Sequence, residues 1–488
     1  MPNPPLRLFN TLGRRVETFK PIKGKTVGLY TCGPTVYNFA HLGNFRAFLF
    51  EDLLERGLEL LGYTVKRVMN ITDVGHLTGD TDAGEDKVER EARAMRKTVK
   101  DIVAFYTKAF ITDAKKLNIR LPRTLAPASK FVPEQIAIIE QLFKRGMAYD
   151  TPNAVYFDVA KFPNYGRLSG QSLADKLTGA RGEVVTDSEK RNAADFALWF
   201  KLTGRFASHL LHWPSPWGEG FPGWHIECSA ISTKFLGQPF DIHTGGVDHI
   251  GTHHTNEIAQ SEGAYGKPLA HYWLHNEFFL VDSTKMAKSE GNFLTVKDIE
   301  EKGVHPLVFR YLCLGAHYRS PLNFSWVGLD QAKHALEHLI QRLLFLNFLA
   351  RPGGRTPGAK KELEVYRTRI REAFANDLNI PQMLAAVQEL IKDKVLVTND
   401  PKGVLALVYE ADIVFSLDLK KHVAQYDTRQ LLKDKRLAKL IAERQKIRAL
   451  QQFMQADRLR KKIDSLGYVL EDTPKGPFVS PKTVRIGT

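Results

Sequence analysis

Apolar positions along the first 75 residues change period twice. Residues 26–31 (TVGLYT) are apolar, aromatic and β-branched, which predicts a buried strand. From Asn44 to Leu61 the apolar positions Phe48, Leu49, Leu53, Leu54, Leu58 and Leu61 recur at helical spacing, and Gly62 supplies a stop. Residues 63–72 (YTVKRVMNIT) return to strand character. Strand, helix and strand in close succession predict a βαβ unit, and so a parallel sheet with a right-handed crossover.

Further along, residues 84–118 are charged with a helical pattern, and a second helix is expected from Pro133 to Lys144. Residues 164–223 carry many Gly and Pro and three Trp, a loop-rich composition. Strand patterns return at 239–243 and 272–281, each followed by helical spacing. The expected architecture is an α/β, Rossmann-like parallel-sheet domain over 1–325, split by an insertion at about 84–225. A helix bundle over 326–419 follows, interrupted by PGGRTPG at 352–358. A basic helical region with a small terminal domain over 420–488 ends the chain, its segments 468–472 and 483–487 expected to pair as a sheet.

Composition narrows the function. The 488 residues are 43% hydrophobic and 25% charged, which excludes a disordered or fibrous chain. No apolar run approaches the roughly 20 residues that cross a bilayer. Three cysteines exclude a disulfide scaffold and direct attention to metal or thiol chemistry. The 69 Lys and Arg outnumber the 54 Asp and Glu, giving +15. Residues 420–464 hold 14 basic against 5 acidic residues, so much of the excess sits there and favours a polyanionic partner, nucleic acid first. The N-terminus lacks a secretory pattern, and a reducing cytoplasm is the simplest setting.

Four constellations bear chemistry. HLGN at 41–44 follows a strand and a loop and opens a helix, where unpaired N–H groups and the dipole suit phosphate. Gly43 allows close approach there, and His41 offers a hydrogen-bond donor; a capping histidine is the plainer account. KMAKS at 285–289 places two lysines and Ser289 in a polar loop, a clamp for polyphosphate or simply a solvated basic loop. Cys32, Cys228, His253 and Glu257 are zinc-ligand types, the last two sharing one helix face. Without a CxxC pair, two buried free cysteines are the competing account. Finally, FDIHTGGVDH puts Gly245 and Gly246 after a strand, either a seat for a ring or ribose or a bare turn, with His243 at the strand end.

The segments YTCGPTVYNFAHLGNFRAF, NITDVGHLTGD, YGRLSGQS, SPWGEGFPGWHIECSA, FDIHTGGVDHIGTHHTNEIAQSEGA, KMAKSEGNF and GYVLEDTPKG span nearly the whole chain. In this order they resemble the bacterial-type cysteinyl-tRNA synthetases, class I aminoacyl-tRNA synthetases. HLGN looks like that family's HIGH signature and KMAKS like its KMSKS signature. The resemblance implies zinc ligands at Cys32, Cys228, His253 and Glu257, and catalytic roles for His41, Lys285 and Lys288. It further implies ATP contacts at His41, Gly43, Asn44, Gly245, Gly246, Asp248, Lys285, Lys288 and Ser289, and a cysteine pocket at Gly33, Thr72, Trp224 and His243. Departures fall at Asn44, Ala287, Phe221, Thr255 and in PFVSPK after Gly476.

The implied reaction is ATP-dependent activation of L-cysteine to the adenylate, then transfer to the 3′-terminal adenosine of tRNA-Cys. Zn2+ at one site per chain and Mg2+ with ATP are the implied cofactors. No membrane partner is expected, and a monomer is the family expectation. An amino-sugar ligase of the same fold would need the same zinc site but has no use for a basic tRNA-reading end. A non-catalytic RNA-binding paralogue has no use for intact His41, Lys285, Lys288 and four zinc ligands.

Overall fold

The computed structural model describes residues 3–75, 77, 84–171, 189–286, 292–350, 359–426, 431–473, 475–484 and 486. The chain divides into two compact units. One comprises Pro5–Asp298 with Tyr318–Asn323; the other comprises Met1–Pro4, Ile299–His317 and Phe324–Thr488.

The first unit opens with the hairpin β1 (Arg7–Asn10) and β2 (Arg15–Thr18). Strand β3 (Thr26–Thr31) leads into helix α1 (Leu42–Leu60), and the chain returns as β4 (Thr64–Ile71). Helices α2 (Lys87–Met95) and α3 (Val99–Lys116) then precede β5 (Thr124–Pro127). Beyond β5 come α4 (Val132–Lys144) and an antiparallel sheet of β6 (Ala148–Asp150), β7 (Ala154–Phe157), β8 (Phe196–Lys201) and β9 (Gly220–Pro222). Helix α5 (Trp224–Leu236) brings the chain back as β10 (Phe240–Gly246), followed by α6 (His253–Tyr265) and β11 (Ala270–Asn276).

The central sheet has the order β11-β10-β3-β4-β5, and every neighbouring pair is parallel. Connections run outward in both directions from the β3/β10 boundary, the switch point at which doubly wound sheets bind ligands. Because β5 pairs with β4, α3 belongs to this sheet's own crossover. The excursion therefore starts after Pro127 and not at residue 84. The expected strand at 272–281 also divides: β11 ends at Asn276, and Phe279–Val281 pairs antiparallel with Thr284–Lys285.

Burial explains the local choices. α1 turns Leu42, Phe45, Phe48, Leu49, Leu53, Leu54 and Leu58 inward, each worth ~1.5–3 kcal/mol against exposure. Arg67 on β4 reaches Glu51 on α1 at 2.9 Å and Glu55 at 3.3 Å, all three buried. Burial pushes the Glu51 pKa up to about 8 even against the pull of Arg67. Such a triad fixes how helix and strand meet more than it adds net stability.

In the second unit, helices Trp326–Leu349, Ala359–Ala375, Ile380–Leu390 and Pro401–Phe415 form the main bundle. Helices Lys435–Ala449 and Phe453–Ser465 follow, with a terminal hairpin of Tyr468–Thr473 and Gly476–Pro481. Its second strand is thus GPFVSP, upstream of the expected 483–487 segment. Phe478 and Val479 are both buried there on opposite sides of the strand, Phe478 against Phe345 and Phe348 and Val479 with Leu437, Ile441 and Ile463. The 352–358 linker lies outside the described residues.

Candidate active site and metal centre

Cys32 directly follows β3, and Gly245 and Gly246 end β10, so the switch point brings both chain regions together. Gly33 is fixed by backbone proximity: a Cβ there would lie 1.8 Å from the Asn70 carbonyl oxygen. Its N–H donates to Asn70 Oδ1 at 2.8 Å. Gly245 is required for a different reason, since a Cβ would sit 2.6 Å from the His254 ring and 2.7 Å from that of His249.

Two cysteines, a histidine and a glutamate converge near the carboxyl end of β3, the middle strand of the sheet. The ligand atoms of Cys32, Cys228, His253 and Glu257 all lie within 4.8 Å of one another, and all four residues are buried. Tetrahedral zinc with two sulfurs, a nitrogen and an oxygen needs separations of roughly 3.3–3.8 Å, a small contraction from here. The second group, Cys32, His243, His254 and Glu257, overlaps the first. Only the first contains two sulfurs, the softer donor set that zinc favours.

Burial and mutual charge shift every group of the cage: Glu257 and Cys32 overcome burial and push the His253 pKa up to about 10. Burial raises the Cys32 thiol, yet the hydrogen bond with Cys228 and the charge of His254 hold it well below its usual value. Burial together with the neighbouring Cys32 sulfur pushes Cys228 well above. The two sulfurs therefore differ in how readily they ionise, Cys32 more readily than Cys228. Burial raises Glu257 too, but His243 and His253 overcome it and keep the carboxylate ionised. Glu257 Oε1 is buried and faces His253 Nε2 at 3.1 Å without hydrogen-bond alignment, leaving an acceptor for an ion. The donor set and this acceptor fit zinc.

A cavity of about 340 Å3 opens beside the cage. Cys32, Gly33, His41, Gly43, Asn44, Thr72, Trp224, Gly245, Gly246, Asp248 and His253 line it. The indole of Trp224 lies over the ring of His253, centroids 4.5 Å apart. Thr72 and Asn70 are tied to Glu227, whose pKa burial raises to about 8.

His41 caps α1. Its Nδ1 accepts the Asn44 N–H at 3.1 Å while Asn44 Oδ1 accepts the His41 N–H at 3.1 Å. The capping account is thus met, and the same residue also lines the cavity. Burial drops its pKa to about 4, so the ring is neutral near pH 7. With Nδ1 accepting, Nε2 carries the proton.

Other expected residues stand elsewhere. His243 is fully buried and is not among the residues lining the cavity; it stacks on Trp273 and holds Glu257. Lys285 has a described backbone in a short strand but not a described side chain, and Lys288 and Ser289 lie outside the described residues. Met286 lines the cavity.

Sequence reasoning missed the remaining histidines. His254 Nε2 lies 3.3 Å from Cys32 Sγ, its Nδ1 lies 2.8 Å from His275 Nε2, and His275 Nδ1 lies 2.8 Å from Thr11 Oγ1. His225 Nδ1 lies 3.0 Å from His253 Nδ1. The available signal was position: His275 is the penultimate residue of a parallel strand, His254 adjoins His253, and His225 stands three residues before Cys228 on α5.

The doubly wound sheet, its switch-point cavity and the capped helix N-terminus belong, by the match that follows, to a class I aminoacyl-tRNA synthetase. A family model of class I (C) tRNA synthetase catalytic domains matches residues 18–334. The cysteine–tRNA ligase of Treponema denticola is 42% identical over 96% of this chain and 98% of its own. Cysteine–tRNA ligase 1 of Burkholderia lata is 43% identical over 97% and 96%. A Mycobacterium tuberculosis methionyl-tRNA synthetase solved with methionyl-adenylate shares the fold, with TM-score 0.58, 14% identity and 82% and 93% coverage. The chain belongs to the cysteine–tRNA ligase family.

Proposed function

We propose that the chain joins cysteine to ATP as cysteinyl adenylate and passes the cysteinyl group to the terminal adenosine of tRNA-Cys. One observation carries this reading: Cys32 and His253 of the sulfur-bearing cage line the same cavity as His41 and Gly43 at the α1 N-terminus. An amino acid held at the cage thus faces a phosphate site.

Cys32, Cys228, His253 and Glu257 would hold zinc. Bound there, zinc supplies an affinity for thiolate that a serine hydroxyl does not satisfy. The chain's own residues do the rest. Trp224, Thr72 and Gly33 shape the wall against which cysteine rests. His41 donates its Nε2 proton to an ATP phosphate oxygen as charge grows there, and the α1 N-terminus adds its dipole. Gly245, Gly246 and Asp248 offer a flat backbone and a carboxylate to the adenosine. Lys285 and Lys288 are the expected partners of the polyphosphate, with Mg2+ arriving on ATP. The basic helices Lys435–Ala449 and Phe453–Ser465 suit the tRNA backbone.

Cysteine-dependent exchange of pyrophosphate into ATP, measured beside charging of tRNA with labelled cysteine, tests the reading. Both are expected. Exchange without charging favours a small acceptor, and the absence of both activities refutes the proposal.

A further inference from the structure

Helix α3 buries Val99, Ile102, Tyr106, Phe110 and Ala114, yet leaves Phe105 43% exposed one residue from that face. Phe39, in the loop between Cys32 and His41, is 42% exposed and also lines the cavity, which places it at the rim. The two rings meet edge to face at 5.8 Å, and Phe39 meets Tyr106 at 5.2 Å. The ammonium of Lys97 stands 5.4 Å from the Phe105 centroid. From 96 to 108 the exposed charged residues are Arg96, Lys97, Lys100 and Lys108 against Asp101 alone. Exposed aromatic rings among cations, continuous with the cavity at the α1 N-terminus, are what single-stranded nucleic acid needs, since bases stack without regard to sequence.

We propose that Phe39 and Phe105 form a stacking step for the unpaired 3′ end of the tRNA, guiding the terminal adenosine toward the adenylate. Lys97 and Lys100 neutralise the phosphates between the stacked bases. The step rests on the reading above, because only a tRNA-charging enzyme must thread such an end past this rim. Phe105 itself does not line the cavity, so its role is in positioning and not in the chemistry.

The test compares wild type, Phe105→Ala and Phe105→Tyr in the full-length protein. Cysteine-dependent pyrophosphate exchange is expected within about twofold of wild type in both variants. Aminoacylation kcat/KM for tRNA is expected to fall on the order of 10- to 100-fold in Phe105→Ala, the loss of one stacked base. Phe105→Tyr keeps a stacking face and is expected to restore most of it. Binding of intact tRNA is measured beside that of tRNA trimmed of its 3′ single strand. The advantage of intact over trimmed tRNA is expected to shrink in Phe105→Ala. Unchanged charging, or equal weakening of intact and trimmed tRNA, overturns the step; so does loss of exchange in both variants. Wild type lacking exchange altogether refutes the underlying reading instead.

Discussion

His243 Nε2 lies 2.9 Å from Glu257 Oε2, while the other oxygen of that carboxylate faces His253. His243 thus aims a cage group from behind without touching the cavity. Such supporting residues typically govern 10- to 100-fold in metal affinity. His243→Ala is expected to weaken zinc retention by about that factor, read by competition with a chromogenic chelator. The far-ultraviolet circular dichroism should stay near wild type. Wild-type retention would show that Glu257 needs no such support.

His41 separates structure from chemistry. Asn is also a good helix cap, so His41→Asn is expected to keep stability within about 0.5 kcal/mol. It removes the Nε2 donor, and pyrophosphate exchange is expected to fall ~100-fold or more. His41→Ala should lose the cap as well, ~1 kcal/mol by urea denaturation. An exchange rate near wild type in His41→Asn would assign this residue to capping alone.

The same residue gives a pH dependence. Burial holds His41 at about 4 when folded, below the ordinary 6.5. Between these values the unfolded chain binds a proton that the folded one refuses. Its contribution to stability is therefore whole above pH 6.5 and lost as pH falls toward 4. Urea midpoints across that range should decline less steeply in His41→Asn than in wild type. Parallel slopes would contradict the neutral, capping histidine.

Gly33→Ala is expected to be severe, because the new methyl overlaps the Asn70 carbonyl at 1.8 Å. A loss of more than ~3 kcal/mol by denaturation, or no soluble protein, is expected. Gly251→Ala meets nothing within 4 Å and should be mild by comparison. Similar behaviour of the two would show that β3 and β4 relax freely.

How much of this was legible depended on distance along the chain. β3, α1 and β4 could be read because TVGLYT, Phe48 through Leu58 and YTVKRVMNIT each carry a period of their own. β5 was not, since TLAP is four residues without alternation and becomes a strand only by pairing with β4. Missing it put α3 into the insertion. The GPFVSP strand was hidden for a similar reason: flanking prolines argue against a strand unless it sits at an edge. The cage could not come from spacing at all. Cys32 and Cys228 are 196 positions apart, and only the fold makes them neighbours; family resemblance named them. His254 and His275 then followed from neither route, because burial, and not motif, recruits them.

The central claim is that zinc held by Cys32, Cys228, His253 and Glu257 selects cysteine. Its most direct measurement is the ratio of cysteine- to serine-dependent pyrophosphate exchange, taken on protein of known zinc content before and after chelation. One zinc per chain is expected, and removal should depress cysteine-dependent exchange and collapse the ratio, with zinc restoring both. Metal-free protein that still exchanges at full rate with undiminished preference for cysteine would contradict the account.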